Sequence, residues 1–205
     1  MAFLLRLRAR GISDVAVMRA LEQVPRDQFV PHRYRDLAWR DMALPIACGQ
    51  TMPEAWLVAR MMEALDLSEG QRVLEIGTGS GYATAILAKL AGEVISLELF
   101  EALALESATR LATLGASHVR VMQGDALGDL TSLGRFDRIL VHAVVDGMPG
   151  SFAEALRPDG VMVMGRKGAG KSAVLTRLVA DHAGVFEESD ICSCRLSPLI
   201  GLAKA

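Results

Sequence analysis

The 205 residues are 51% hydrophobic and 22% charged, with a formal net charge of −2 at pH 7, a mean hydropathy of +0.30 and a pI near 6.1. A chain of this size and composition builds one domain with a well-buried core, and without a basic surplus it is not expected to bind nucleic acid in bulk. No apolar run approaches the ~18 to 20 residues of a membrane span, so no membrane partner is expected. The opening MAFLLRLRAR is too short an apolar run, broken by arginines, for a secretory signal. Three cysteines, Cys48, Cys192 and Cys194, an odd number without such a signal, suggest reduced thiols and a cytoplasmic location. Cys192 and Cys194 read as small apolar residues of a late strand, because no further Cys or His stands at metal-ligand spacing.

Residues 1 to 56 show no regular strand-helix alternation. Ser13 is placed to cap a helix over Asp14 to Gln23, with Val17, Leu21 and Val24 on one face and Pro25 ending it. The stretches VPRDQFVP (24–31) and LPIACGQT (44–51) are too apolar for a loose tail, so the segment is expected to form an ordered cap. A helix over Glu54 to Leu67 turns Leu57, Met61, Met62 and Leu65 inward.

From Gln71 the alternation is regular. Strands are predicted at 73–76, 94–99, 118–122, 138–142 and 161–164, with further extended segments near 173–179 and 191–200. Between them lie a helix carrying Tyr82, Ile86 and Leu90, a helix to Leu114 that Gly115 can end, and a short helix with Phe152 and Leu156. This pattern implies an α/β, doubly wound, mostly parallel sheet with helices on both faces. Residues 57–205 would form this domain and residues 1–56 its N-terminal helical cap.

The chain is organised around VLEIGTGSGY (Val73 to Tyr82), a short apolar strand that runs into glycines 77, 79 and 81 and then into a helix. Such a turn lets backbone approach a ligand and sits at the carboxyl end of a central strand. Tyr82 stands where a dinucleotide fingerprint needs its third glycine. The pattern E-x-G-x-G-x-G instead resembles the first motif of S-adenosylmethionine-dependent methyltransferases. Glu98, 21 residues after Gly77, can accept from both hydroxyls of an adenosine ribose. In such enzymes an acid ending the third strand, here Asp125, often meets the adenine amino group. Glu75 is read as orienting the turn, as meeting the methionine amino group through water, or as a polar residue tolerated at a strand edge. A second glycine run, GRKGAGKS (165–172), matches the phosphate-loop pattern literally. Only 33 residues follow it, and 173–179 is β-branched, so a chance match in a hairpin is preferred.

With these residues placed, the chain resembles the protein-L-isoaspartate O-methyltransferases nearly end to end. VPRDQFVP is similar to the family's V-P-R-x-x-F-V-P, and LPIACGQT to its L-P-I-x-x-G-Q-T. Gly124-Asp125, FDRILVHAVVDGMP (136–149) and SPLIG (197–201) follow in the family's order. The resemblance implies a seven-stranded Rossmann-like methyltransferase sheet and S-adenosyl-L-methionine as cofactor. The implied cofactor contacts are Gln50, Thr51, Glu75, Gly77, Thr78, Gly79, Ser80, Gly81, Glu98, Leu99, Asp125 and Ala126, with no metal. It implies methyl transfer to the carboxylate of isoaspartyl residues in damaged proteins, whose ester closes to a succinimide and reopens partly to aspartate. A monomer is implied, with a dimer left open. A carboxylate is already ionised at pH 7, so positioning and desolvation suffice without a general base. His32, His118, His142 and His182 accordingly read as structural or exposed.

Two positions depart from the family pattern. After Gly-Gln-Thr the family usually reads I-S-x-P, with the serine as active-site hydroxyl, whereas here Pro53 occupies that place. Thr51 is the nearest hydroxyl and the candidate catalytic residue. It also reads as a helix N-cap, with Glu54 completing a capping box. His142-Ala-Val-Val145 replaces the usual T-A-A-A. Two alternatives therefore stand beside isoaspartyl repair: a relative that methylates another acceptor, and a cofactor-binding protein without methyl transfer.

Overall fold

The computed structural model describes residues 2–168 and 172–201. Short apolar runs form the sheet strands β3 (Arg72–Ile76), β4 (Glu93–Glu98), β5 (Val119–Gln123), β6 (Phe136–Val145), β7 (Leu156–Lys167), β8 (Ala173–Ala180) and β9 (Phe186–Cys194). They lie in the order β5-β4-β3-β6-β7-β8-β9. The first five in that order pair in parallel, and β8 and β9 add antiparallel to the β7 edge. Alternate residues feed two cores. Val73, Val94, Leu140 and Val163 face one, and Leu74, Ile95, Ile139 and Met162 the other, as a pleat of period two requires. The chain leaves β3 outward through β4 and β5 and returns on its other side at β6. This is the topological switch point where open α/β sheets bind ligands.

Helices α4 (Tyr82–Leu87), α5 (Glu101–Thr113) and α6 (Gly150–Ala155) connect these strands. Three assignments shift from the sequence reading. Leu156 begins β7 rather than ending α6, and Leu90 lies beyond α4. The last strand ends at Cys194, not near residue 200. Pro198 has no N–H for a ladder, and the segment after β9 instead crosses to β6. There Val144 donates to the Ser197 carbonyl and Leu199 donates to that of Val144, each at 2.8 Å. The GRKGAGKS run straddles the β7-β8 connection. Lys167 pairs antiparallel with Ala173, while Lys171 lies outside the described residues.

The N-terminal segment comprises α1 (Ala2–Ala9), α2 (Val15–Gln23), the two-residue strands β1 (Leu44–Pro45) and β2 (Thr51–Met52), and α3 (Ala55–Leu65). Its Leu7, Leu21, Phe29 and Met61 share a core with Val73 and Tyr82. The cap of α2 is Asp14 rather than Ser13, with its Oδ1 accepting from Val17 N at 2.9 Å. Ser13 N and Asp14 N both donate to Glu63 Oε1, at 2.7 and 2.8 Å, which fastens α2 to α3. Thr51 does not cap α3, because it is held in β2 opposite Pro45. Glu54 occupies the cap position without a side-chain bond. The cap comes from Asp41, whose Oδ1 accepts from Trp56 N at 3.0 Å.

Arg26 of VPRDQFVP holds this segment together. Its side chain is fully buried, and its guanidinium donates to the carbonyls of Ala38 (2.6 Å), Arg40 (3.2 Å), Met42 (3.0 Å) and Pro53 (2.9 Å). Burial lowers its pKa, opposed by Tyr82 and Glu54. A planar five-donor fork suits a ring of carbonyls, and a lysine ammonium does not. Arg26→Ala leaves the buried Ala38 carbonyl and the part-buried Met42 and Pro53 carbonyls short of a donor and should cost about 3 kcal/mol in urea unfolding. Arg26→Lys should not restore the loss, and a change below about 1 kcal/mol in the alanine variant would contradict this role.

Candidate active site

The turn after β3 has positive φ at Gly77 (90°), Gly79 (55°) and Gly81 (85°), angles that side chains rarely adopt. Gly77 N and Thr78 N both donate to the Leu97 carbonyl, at 2.8 and 3.3 Å, so β4 holds the turn. Gly79 N donates to Glu98 Oε2 at 2.7 Å. A Cβ on Gly79 would lie 3.3 Å from Ile46 Cδ1 of the cap, whereas Gly81 faces Ser107 of α5 at 3.2 Å. Two of the glycines therefore keep the cleft side open, and the third lets α4 pack against α5.

Beneath the turn lies Glu75, fully buried in the central strand and not at a sheet edge. Its Oε2 accepts from Thr84 Oγ1 and Ser96 Oγ, both at 2.6 Å, and its Oε1 pairs with His142 Nε2 at 2.9 Å. Thr78 Oγ1 lies 2.5 Å from Ser96 Oγ. Because the Ser96 proton is committed to Glu75, Thr78 must donate. The carboxylate thus controls the turn through two hydroxyls.

Above the turn opens a cleft with about 870 Å³ of empty space, partly open to solvent. Gly77, Thr78, Gly79 and Ser80 form its floor, Glu98, Leu99 and Ala126 one side, and Gln50 and Thr51 the cap side. Glu98 is 5% exposed. One carboxylate oxygen takes Gly79 N and the other Phe100 N at 3.0 Å, which leaves each able to accept a further donor. Three residues expected at the ligand do not line this cleft: Glu75 lies below it, Gly81 beside α5, and Asp125 at its edge. Asp125 Oδ1 accepts from Leu127 N at 2.9 Å, the two-residues-on turn typical of aspartate. Its Oδ2 sits where a Cβ on Gly201 would come within 2.8 Å. Pro198 and Leu199 of the crossing segment close the same end.

A broader groove adjoins the cleft, and Gln50, Thr51, Pro53, His142 and Ser197 line both. His142, expected to be structural or exposed, is buried and bonded to Glu75. Its side chain is 8% exposed and shared between both cavities. The one sequence signal was its place in a segment where the family pattern is small. His118 instead meets the Ala88 carbonyl, and His182 stands at the surface near Asp159. Tyr82, in the third-glycine position, packs edge-on to Phe29 with ring centroids 5.5 Å apart, under the Arg26 guanidinium. Burial raises its phenol pKa well above the usual range, against the pull of Arg26. Among the described residues no cluster of three or more potential metal ligands occurs, and no helix is long and apolar enough to cross a membrane.

The family model of protein-L-isoaspartate(D-aspartate) O-methyltransferase matches residues 1–204. A Rhodopseudomonas palustris (strain HaA2) relative named protein-L-isoaspartate O-methyltransferase 2 is 50% identical over 163 residues, covering 80% of this chain and 75% of its own. Another from R. palustris strain BisA53, named protein-L-isoaspartate O-methyltransferase, is 44% identical and covers 100% of this chain and 95% of its own. A Plasmodium falciparum protein solved in complex with S-adenosyl-L-homocysteine shares the fold, with a TM-score of 0.84 at 21% identity and 97% of each chain covered.

The Glu75 relay makes a prediction about the turn. Ser96→Ala removes one oxygen, leaving Thr78 without its acceptor and Glu75 short of a donor. Stability in urea should fall by about 1 to 3 kcal/mol, and a loss under about 0.5 kcal/mol would mean that the relay does not hold the turn.

Proposed function

The chain belongs to the protein-L-isoaspartate(D-aspartate) O-methyltransferase family, and we propose that its glycine-turn cleft holds the methyl donor while the adjoining groove admits an isoaspartyl peptide. It is an S-adenosylmethionine-dependent methyltransferase of protein isoaspartyl carboxylates. The observation that carries the spatial reading is the shared wall: a narrow cleft over the turn opens sideways into a polar groove. Donor and acceptor can therefore enter from different sides and meet beside Gly77.

The cleft suits the cofactor on its own features. No Cβ intrudes at Gly77 or Gly79, and Glu98 offers two accepting oxygens beside an apolar patch of Leu97, Leu99 and Ala126. When bound, S-adenosylmethionine supplies an electrophilic methyl group on a sulfonium. Glu98 is assigned to the ribose hydroxyls, and the backbone of residues 77 to 80 to the methionine part. Asp125, turned toward Leu127 and Gly201, shapes the closed end and is not assigned a contact. Gln50 and Thr51 are assigned to the boundary between cofactor and acceptor. Thr51 is exposed there, with its hydroxyl available to the acceptor carboxylate. Pro53 offers nothing comparable. It lacks an N–H, and its carbonyl is taken by Arg26. The chain's task is to place a carboxylate oxygen in line with the methyl group and to strip it of water.

Two measurements test this reading. With S-adenosylmethionine, methyl groups should pass to an isoaspartyl peptide and not to its aspartyl twin. Cofactor binding without transfer to either peptide would overturn the acceptor assignment. Glu98→Ala should weaken S-adenosylmethionine binding about tenfold or more in calorimetry, and an unchanged affinity would remove Glu98 from the site.

A further inference from the structure

Among the described residues that line the groove, Asp41 Oδ2 and His142 Nδ1 are buried without a hydrogen bond, and Asp41 is ion-paired with Arg10. His142 ends the run of β6 that pairs with β3, where Ile76 lies opposite Val141. A Cβ on Gly77 would lie 3.4 Å from His142 Cβ, so the imidazole stands against the first glycine of the donor turn. Its Nε2 is clamped by Glu75 at 2.9 Å. Its Nδ1 is buried and has no hydrogen-bond partner. A buried polar atom left unpaired costs free energy that a ligand can recover.

We propose that His142, fixed through Nε2 by Glu75, donates from Nδ1–H to the acceptor carboxylate and so takes the place of the hydroxyl that Pro53 lacks. The proposal rests on the isoaspartyl reading of the preceding subsection. Three features favour a donating, protonated ring. Glu75 is a fully buried carboxylate whose other partners are neutral hydroxyls, and an imidazolium neutralises it. With Nε2–H given to Glu75, only the protonated ring has a second N–H to offer. A neutral Glu75–His142 pair also adds no net charge beside a sulfonium. Thr51 and Ser197 share the wall, but both are exposed, whereas the His142 ring is held by packing and by Glu75.

In the transfer, a carboxylate oxygen forms a bond to the methyl carbon as the carbon–sulfur bond breaks. The sulfur keeps the electron pair, and the acceptor becomes a neutral ester. His142 exchanges no proton in this step. Its N–H binds the carboxylate more strongly than the ester, so it favours the bound substrate over later states. Its removal should therefore act chiefly on KM rather than kcat. The charged or titratable groups that share the two cavities with His142 are Arg10, Asp41, Glu54, Cys194 and Arg195 in the groove and Tyr82 and Glu98 in the cleft, with Glu75 beneath. Arg10 and Asp41 form an ion pair, and burial pushes the Cys194 thiol up to about 11.

Two substitutions separate this role from mere support of Glu75. A glutamine amide reaches the Nε2 position and an asparagine amide the Nδ1 position. His142→Gln keeps the Glu75 contact and loses the acceptor donor. His142→Asn keeps a donor toward the acceptor and loses the Glu75 contact. The readouts are KM and kcat for an isoaspartyl peptide, and calorimetric affinity of that peptide for the protein loaded with S-adenosylhomocysteine. Expected is a rise of about 10- to 100-fold in peptide KM and Kd for His142→Gln with cofactor affinity kept. For His142→Asn, peptide affinity should stay near the wild-type value. A wild-type-like His142→Gln beside an impaired His142→Asn would overturn the proposal in favour of a structural role. Cofactor binding without transfer by the wild type overturns the acceptor reading and this proposal together, whereas an active wild type with an indifferent His142→Gln overturns this proposal alone.

Discussion

The site depends on one buried carboxylate. Glu75 sits in the middle of the central strand with no exposure, where an ionised group is tolerated only if its oxygens are saturated with donors. The donors come from three elements packed around β3: Thr84 on α4, Ser96 on β4 and His142 on β6. Satisfying Glu75 therefore ties both strands already laddered to β3 to the helix above it. Through Ser96 and Thr78 the same carboxylate reaches the glycine turn. A demand for desolvated hydrogen bonds is thereby converted into the shape of the cleft floor.

The cap is organised by the complementary problem, a buried cation. Arg26 donates to four carbonyls, three in the irregular stretch 38–42 and one at Pro53. It also explains why position 82 is a tyrosine. A dinucleotide fold needs glycine there for close helix packing, but here the ring fills the space under Arg26 and against Phe29. Arg110 extends the arrangement from α5, donating to the Ser80 carbonyl at 2.6 Å with its guanidinium over Phe29. Cap and glycine turn are thus joined by aromatic and cationic side chains, so loosening the cap would loosen the turn.

What was legible in the sequence follows from this. Strands buried on both faces read directly as apolar runs, and the glycine turn read from its spacing, because both are local. Asp14 and Ser13 are equally good caps by composition, and only the bond from Val17 N to Asp14 Oδ1 shows which one is used. The terminal strand was misplaced because SPLIG has the polarity of a strand, while its proline commits it to crossing β6. The Thr51–Glu54 capping box failed for a tertiary reason: pairing of β1 with β2 withdraws Thr51, and Asp41 supplies the cap from 15 residues away. Four histidines far apart in sequence carry no spacing signal, so the contact of His142 with Glu75 shows only when β6 is laid beside β3.

The two halves of the site are built differently, and this bears on how the chain can depart from its relatives. The cleft half comes from one continuous turn and the strand beside it, tied by backbone hydrogen bonds to the Leu97 carbonyl and to Glu98. Most changes there strain the backbone or orphan a buried group. The groove half draws on side chains of β2, the residue after it, β6 and the segment that follows β9. A proline at position 53 costs the fold little, since its carbonyl still serves Arg26. The histidine at 142 is accommodated because Glu75 gives it a partner. Under the proposed reading, acceptor recognition is free to move between elements while the methyl donor stays where β3 and Glu75 put it.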